Sequence, residues 1–165
     1  MTHAQQSGEE WESMIRYGLD ALVGQGAIHA WAKQYPPMRA VKQGRQVVWV
    51  QERGERSLCD FVVAAHHLTW LLEAKQIEGR RLPWSAITSD EGGKLTAWQS
   101  VDARRRAAIL VRYVLDRQKV AVLVPWEAIE SRWQRWAAGG ADRGEGGLTL
   151  DSALDLGWTT WAAAL

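Results

Sequence analysis

A single cysteine, Cys59, is all that the 165-residue chain offers to disulfide chemistry. No internal bridge can staple the fold, and a reducing cytoplasm is the expected compartment. No apolar run approaches the roughly 18 residues of a membrane-spanning helix. The polar opening MTHAQQSGEE lacks the layout of a signal peptide, so no membrane association is expected. Nor do His and Cys residues fall at the spacing of a zinc site. The neighbours His66 and His67 would point apart on a strand or turn, and read as an ordinary turn. Cys59 has no catalytic partner in sight and reads as a small buried hydrophobe. There are no internal repeats, and the formal net charge is only +1, so bulk electrostatics do not point to nucleic acid.

What is present suits one folded domain. Hydrophobic residues make up 47% and charged residues 24%, enough for a real core. The basic residues are clustered. Lys33, Arg39, Lys42, Arg45, Arg53 and Arg56 face only Glu52 and Glu55 over one stretch, and Arg80-Arg81 and Arg104-Arg105-Arg106 form two more groups. Such patches neutralise phosphates or serve as solvated faces; composition alone does not choose. Trp is abundant, 11 against one Phe and three Tyr. Tryptophans stack on unpaired bases, but most are expected here as core, in a composition that also fits a GC-rich genome.

Along the chain, residues 1–7 are expected to be a disordered tail. From Gly8 the apolar stripe Trp11, Ile15, Leu19, Leu22 and Val23 predicts a helix that Gly24 and Gly26 end. Short strands are expected at 27–33 and 46–51; Pro36-Pro37 interrupts the chain before 38–41, and 52–55 reads as a turn. The runs 58–65 and 68–74 are apolar at nearly every position, as in strands covered on both faces, and only His66-His67 separates them. Residues 76–96, with Pro83 and Gly92-Gly93, read as loop, and 97–107 as helix. A second hairpin, 108–115 with 119–124, turns at 116–118. A helix over 126–137 carries Ile129, Trp133 and Trp136 on one side. The glycine-rich segment 139–147 leads into an extension, 148–165, that is expected to pack back. The order α-β-β-β-β-α-β-β-α implies an α/β (α+β) fold, a mixed sheet with flanking helices. Residues 8–138 form the expected domain, and 139–165 its glycine-rich extension.

The chemistry concentrates on the first hairpin. A two-residue turn at His66-His67 sets pairing by a constant sum of residue numbers, which places Asp60 opposite Glu73. Facing Cβ atoms in such a pair lie about 5 Å apart. Lys75, two residues on, shares the face of Glu73. Two carboxylates and an ammonium thus converge within an apolar setting, Leu71-Leu72-Glu73-Ala74-Lys75. Burying that charge is unfavourable unless it is compensated, and a hard divalent cation such as Mg²⁺ prefers carboxylate oxygens. The set matches metal-assisted phosphodiester hydrolysis. A plain charge network, with Lys75 paired to one carboxylate, uses the same residues.

Asp60 followed by Glu73-Ala74-Lys75 resembles the core of the PD-(D/E)XK nucleases. Within that superfamily the chain is most similar to RecU-type Holliday junction resolvases, and more loosely to archaeal and phage-encoded resolvases. Gly8-x-x-x-Glu12-x-x-Ile15 matches the family's N-terminal motif. Ser57-Leu58-Cys59-Asp60 stands at its lead-in to the metal-binding aspartate, with Leu58 and Cys59 replacing the usual polar residues. Leu82-Pro83 falls at its apolar-proline pair, and Trp98-Gln99 at its His-Gln. The resemblance covers roughly residues 8–137. It implies a restriction-endonuclease-like core, metal binding by Asp60, Glu73 and the Ala74 carbonyl, and catalysis by Lys75. It further implies an auxiliary role for Glu12 and a phosphate- or lysine-positioning role for Gln99. Mg²⁺, replaceable by Mn²⁺, is the implied cofactor, and four-way DNA cut by a homodimer the implied activity. The DNA contacts expected are Arg39, Lys42, Arg45, Arg53, Arg56, Arg80, Arg81, Arg104 and Arg105. A nuclease for linear or flapped duplex, or a non-catalytic DNA-binding module, would share most of these features. The stretch between Val41 and Ser57 is shorter than the stalk that RecU proteins carry.

Overall fold

The computed structural model describes residues 3–35, 38–43, 46–51, 57–116, 118–139 and 146–159. In chain order these form α1 (His3–Gly24), β1 (Ala30–Lys33), β2 (Met38–Gln43), β3 (Gln46–Gln51), β4 (Phe61–Ala65), β5 (Leu68–Glu78) and β6 (Arg81–Pro83). A 3-10 turn (Trp84–Ala86) then leads to α2 (Ser89–Val101), β7 (Arg105–Val114), β8 (Lys119–Pro125), α3 (Trp126–Ala137), β9 (Gly147–Thr149) and α4 (Leu150–Leu156). The central sheet has the order β1-β4-β5-β7-β8. Only β5 and β7 are parallel; α2 makes the crossover between them, and the other neighbours are antiparallel. This is the mixed sheet with flanking helices, of α/β (α+β) class, that the sequence predicts.

The two faces of the sheet have separate cores. Trp11, Ile15, Leu19 and Leu22 of α1 pack on Phe61, Val63, Leu72, Ala108 and Leu110. On the other face Leu95 of α2 and Trp126, Ile129 and Trp133 of α3 pack on Leu71, Ile109, Val111 and Val124. The central strands therefore read as continuous apolar runs, as strands buried on both faces must. Val23, expected in the α1 stripe, is 38% exposed and lies off it. The α1 terminus closes through bonds from Gly26 N–H to Val23 O and Ala27 N–H to Leu22 O, with Gly26 at φ +73°, a region that favours glycine. At its other end α1 already begins at His3, five residues ahead of the expected start at Gly8.

Three further boundaries differ from expectation. β5 runs four residues past Ala74, because Lys75 to Glu78 pair in parallel with Val111 to Val114. Much of the expected loop 76–96 is instead the start of α2, whose Thr88 N-cap and Glu91 form a reciprocal capping box. Gly92 does not break this helix; it lets α3 approach, since a Cβ there would lie 2.4 Å from the Trp133 ring. α2 then ends at Val101, where Asp102 accepts the Arg104 N–H, so the expected helix over 97–107 gives way to β7 at Arg105. The described part of the extension packs back as expected. β9 pairs with β6, and Leu148, Leu150 and Ala153 join the α2–α3 core, so this segment is continuous with the domain.

Pro36-Pro37, the turn at 52–55, Arg45, Arg53, Arg56, Arg117 and residues 140–145 and 160–165 lie outside the described residues. Trp11, Trp70, Trp84, Trp126 and Trp133 are buried, which is the core role expected for most tryptophans. His66 and His67 form the exposed hairpin turn, with His66 at φ +49°.

Candidate active site

The site forms where β4 begins and β5 passes mid-length. The β4–β5 ladder ends at the Phe61–Leu72 pair, and continuing its constant sum one residue outward sets Asp60 opposite Glu73. Asp60 Oδ2 accepts the Ala74 N–H at 2.8 Å, which ties the carboxylate to that rung. Its backbone is held as well: Gln34 N–H donates to the Asp60 carbonyl at 2.8 Å, and Lys94 of α2 donates to the Ser57 carbonyl at 2.9 Å. Leu71 packs in the α2–α3 core, and by strand alternation Glu73 and Lys75 share its face. There the Lys75 ammonium lies 2.8 Å from Glu73 Oε1 and 3.0 Å from Glu91 Oε1.

Glu12 reaches the same neighbourhood from α1. It pairs with Lys33 of β1 and, at 3.8 Å, with Arg16. An open cleft of about 440 Å³ runs from Gly8, Trp11 and Glu12 along Ala74 and Gln76 to Glu78. Arg112, buried beneath α1, donates to Gln76 Oε1 at 3.1 Å and lies over the Trp11 ring.

Burial sets the electrostatics. It pushes the Glu73 carboxyl from 4.5 up to about 7, with the nearby Asp60 adding to the rise and Lys75 opposing it. Burial also raises Asp60, and Glu12 adds to it, against the Ala74 N–H, Lys75 and Lys33. For Lys75 burial works against the ammonium, but Glu73 and Glu91 together carry its pKa above the usual lysine value. Burial raises Glu91 too, yet the Thr88 N–H and then Lys75 bring it below the ordinary range. The Cys59 thiol is pushed up to about 12 by burial, then by Glu73 and Asp60, and it donates to the Phe61 carbonyl. It is protonated at neutral pH and unsuited to nucleophilic work.

Among the described residues no group of three or more His, Cys, Asp and Glu side chains is placed to hold a metal. The pair Asp60 and Glu73 is nonetheless a chemically suitable donor set. Burial raises both, Asp60 adds to the rise at Glu73, and among the described residues no bidentate arginine neutralises either. Two such oxygens suit a hard cation that keeps most of its waters.

The other expected residues are spread more widely. Gln99 of α2 donates to Glu130 Oε2 of α3 at 2.8 Å, in a network with Thr96 and Gln134, rather than to Lys75. Arg105 stacks over the Trp98 ring, 4.5 Å from its centroid, and Arg104 is exposed in the preceding turn. Arg80 is exposed and paired with Asp151 at 2.8 Å, and Arg81 is exposed on β6. Arg39 lies on β2, and Lys42 is exposed on the same strand. The β2–β3 hairpin that carries them forms its own two-stranded sheet.

Three participants were not anticipated: Glu91, Lys94 and the partnership of Lys33 with Glu12. A signal for Glu91 exists, since Thr88-x-x-Glu91 is a capping-box pattern. The following Gly92-Gly93 masks it by suggesting a loop.

No protein-family model matches the chain, and no curated protein matches it. Among solved structures it is similar to Archaeoglobus fulgidus Hjc, a Holliday junction resolvase from an archaeal hyperthermophile. The TM-score is 0.44 and the identity 17%, over 91% of this chain and 98% of that one. It is also similar to SSO0001, with TM-score 0.33 and 10% identity over 81% of this chain and 61% of the other.

Proposed function

We propose that this chain is a divalent-metal-dependent endodeoxyribonuclease that acts on branched DNA, with the four-way junction as its substrate and a homodimer as its working form. One observation carries the reading: Asp60, bonded to the Ala74 N–H, and Glu73 lie close together in a buried setting, with the Lys75 ammonium against Glu73. Buried like charges of this kind are unfavourable without a compensating cation. Asp60, Glu73 and the Ala74 carbonyl would hold Mg²⁺ or Mn²⁺. When bound, the ion supplies Lewis-acid polarisation of a phosphoryl oxygen.

The chain's own groups do the rest. An ammonium has three N–H donors. Glu73 and Glu91 accept from that of Lys75, which leaves donor capacity for the scissile phosphate or the attacking water. Donors fixed in advance where charge develops contribute most to such reactions. Glu12, held by Lys33, takes the auxiliary place beside Asp60. Gln99 is not assigned a catalytic role, because Glu130 engages its amide and Glu91 occupies the place beside Lys75. Arg39, Lys42, Arg81, Arg104 and Arg105 would meet phosphates, with Arg80 joining on release from Asp151. The junction as substrate rests on the sequence resemblance, and two-fold symmetry in the protein would mirror that of the junction. The reducing cytoplasm is the compartment that suits a lone buried thiol.

The test is cleavage of end-labelled junction, flap and linear duplex at equal concentration, with Mg²⁺ and with EDTA, and products mapped on all four strands. Paired nicks on opposing junction strands, only with metal, are expected. Cleavage by Asp60→Ala, Glu73→Ala or Lys75→Ala within about a factor of ten of wild type overturns the mechanism. Preference for flap or linear duplex overturns the junction assignment alone.

A further inference from the structure

We propose that Glu91 is a positioning residue for Lys75, fixing the ammonium to the first turn of α2; this rests on the nuclease reading above. The geometry comes from one carboxylate with two tasks. Glu91 Oε1 lies 3.0 Å from the Lys75 ammonium, and Oε2 accepts the Thr88 N–H at 2.8 Å. Thr88 Oγ1 in turn accepts the Glu91 N–H at 3.2 Å. The capping box therefore sets the carboxylate plane before Lys75 enters it. A lysine stem has many rotamers and would otherwise wander. Here its tip is referenced to helix backbone.

The helix turn that does this is itself anchored. Gly92, the next residue, lies against the Trp133 ring of α3. Lys94, two positions further, donates to the Ser57 carbonyl in the lead-in to Asp60 and pairs with Asp90 at 2.7 Å. Residues 91–94 thus hold both Lys75 and the segment that delivers Asp60. In a working site Glu73 would divide its two oxygens between the ammonium and the cation. The Glu73 oxygen that faces Lys75 belongs to a carboxylate that the proposed function assigns to a cation. Glu91 is the partner of Lys75 that the cation does not share. A side chain that only capped α2 would have no need of the lysine.

The two roles separate by substitution. Gln at this position keeps a capping box, whereas Ala removes both the cap and the contact. Thr149→Ala, at the N-cap of α4, removes a similar cap bond away from the site and serves as the control for stability. In E91Q the melting temperature is expected to match wild type, while kcat on the junction falls about tenfold with KM unchanged, the loss of a charge-assisted bond. E91A is expected to lose about a hundredfold in kcat and to melt about 2–4 °C lower. T149A is expected to melt lower by a similar amount with kcat unchanged.

A second readout needs neither DNA nor metal. In trace labelling of metal-free protein with acetic anhydride, read by mass spectrometry, Lys75 is expected to acetylate several-fold faster in E91Q and E91A than in wild type or T149A. Unchanged Lys75 labelling in E91A, or full kcat in E91Q, overturns the inference and leaves the nuclease reading standing. Faster labelling with no wild-type cleavage of any DNA overturns the nuclease reading and leaves the Glu91–Lys75 clamp standing.

Discussion

Replacing Glu73 by glutamine is expected to stabilise the metal-free protein at alkaline pH while abolishing cleavage. Glu73 is only 6% exposed, and burial and Asp60 push its pKa from 4.5 up to about 7. Well below pH 4.5 folded and unfolded chains both hold this proton. As pH rises from 4.5 to 7 the unfolded chain releases it and the folded chain retains it, so stability falls over that window. Above about pH 7 the loss is complete; at about 1.4 kcal/mol for each pH unit of the window it amounts to about 3 kcal/mol. The glutamine variant has no proton to release and escapes this loss. Lys75 keeps Glu91 as a partner at 3.0 Å, which limits the damage from the lost pair. Urea unfolding in EDTA at pH 5 and pH 8.5 reads the effect. Stability of the variant relative to wild type is expected to rise by about 2–3 kcal/mol between the two. A difference that does not change with pH, or a variant less stable than wild type at pH 8.5, refutes the reasoning. Added Mg²⁺ is expected to stabilise wild type and not the variant.

Lys75→Ala is expected to reduce junction cleavage about 10²- to 10³-fold in kcat, as for a lost donor to developing charge, with binding in a gel shift little changed; activity within a factor of ten of wild type removes Lys75 from the mechanism. Gly92→Ala forces a Cβ to within 2.4 Å of Trp133. Thermal denaturation should register about 1–3 kcal/mol of destabilisation, and an unchanged melting temperature contradicts the α2–α3 packing. Ile15→Ala, at a position with no exposure, should destabilise by about 2–5 kcal/mol. Tyr17→Ala, at 80% exposure, should stay within about 0.5 kcal/mol, so equal effects would refute the assignment of the α1 face. Arg105→Ala should weaken junction binding and lower the slope of log affinity against log salt by about 1; an unchanged slope takes Arg105 off the DNA.

The facing of Asp60 and Glu73 was legible because a two-residue turn leaves one register, and register depends only on counting. Mixed-sheet architecture was legible for a similar reason: long apolar runs such as Ala107 to Val111 can only sit between two layers. Boundaries that depend on distant partners were not legible. Nothing local in Lys75-Gln76-Ile77-Glu78 announces a strand; β7 recruits it. Nothing in Gly92-Gly93 announces a helix, because the reason for a glycine there is the Trp133 ring, forty-one positions away. Glu91 was lost with that helix. Gln99 was placed beside the site by resemblance, yet the helix face it occupies is turned to Glu130. The hairpin that carries the candidate site was thus readable, and the contacts that support it were not.

The parallel pairing of β5 with β7 also governs when the site can exist. A strand bonded on both edges has no exposed ladder, but β5 gains its second edge only when residues 105–114 are available. Until then the β4–β5 hairpin presents Glu73 and Lys75 on an open, apolar strand, with Glu91 on an unanchored turn. A chain emerging from the ribosome therefore passes through a stage in which β5 has one unprotected edge and the candidate site is unassembled. Completing this pairing takes the closing of a long loop rather than a local turn. For a protein of the proposed activity this timing has a use, since no unfinished copy can cut.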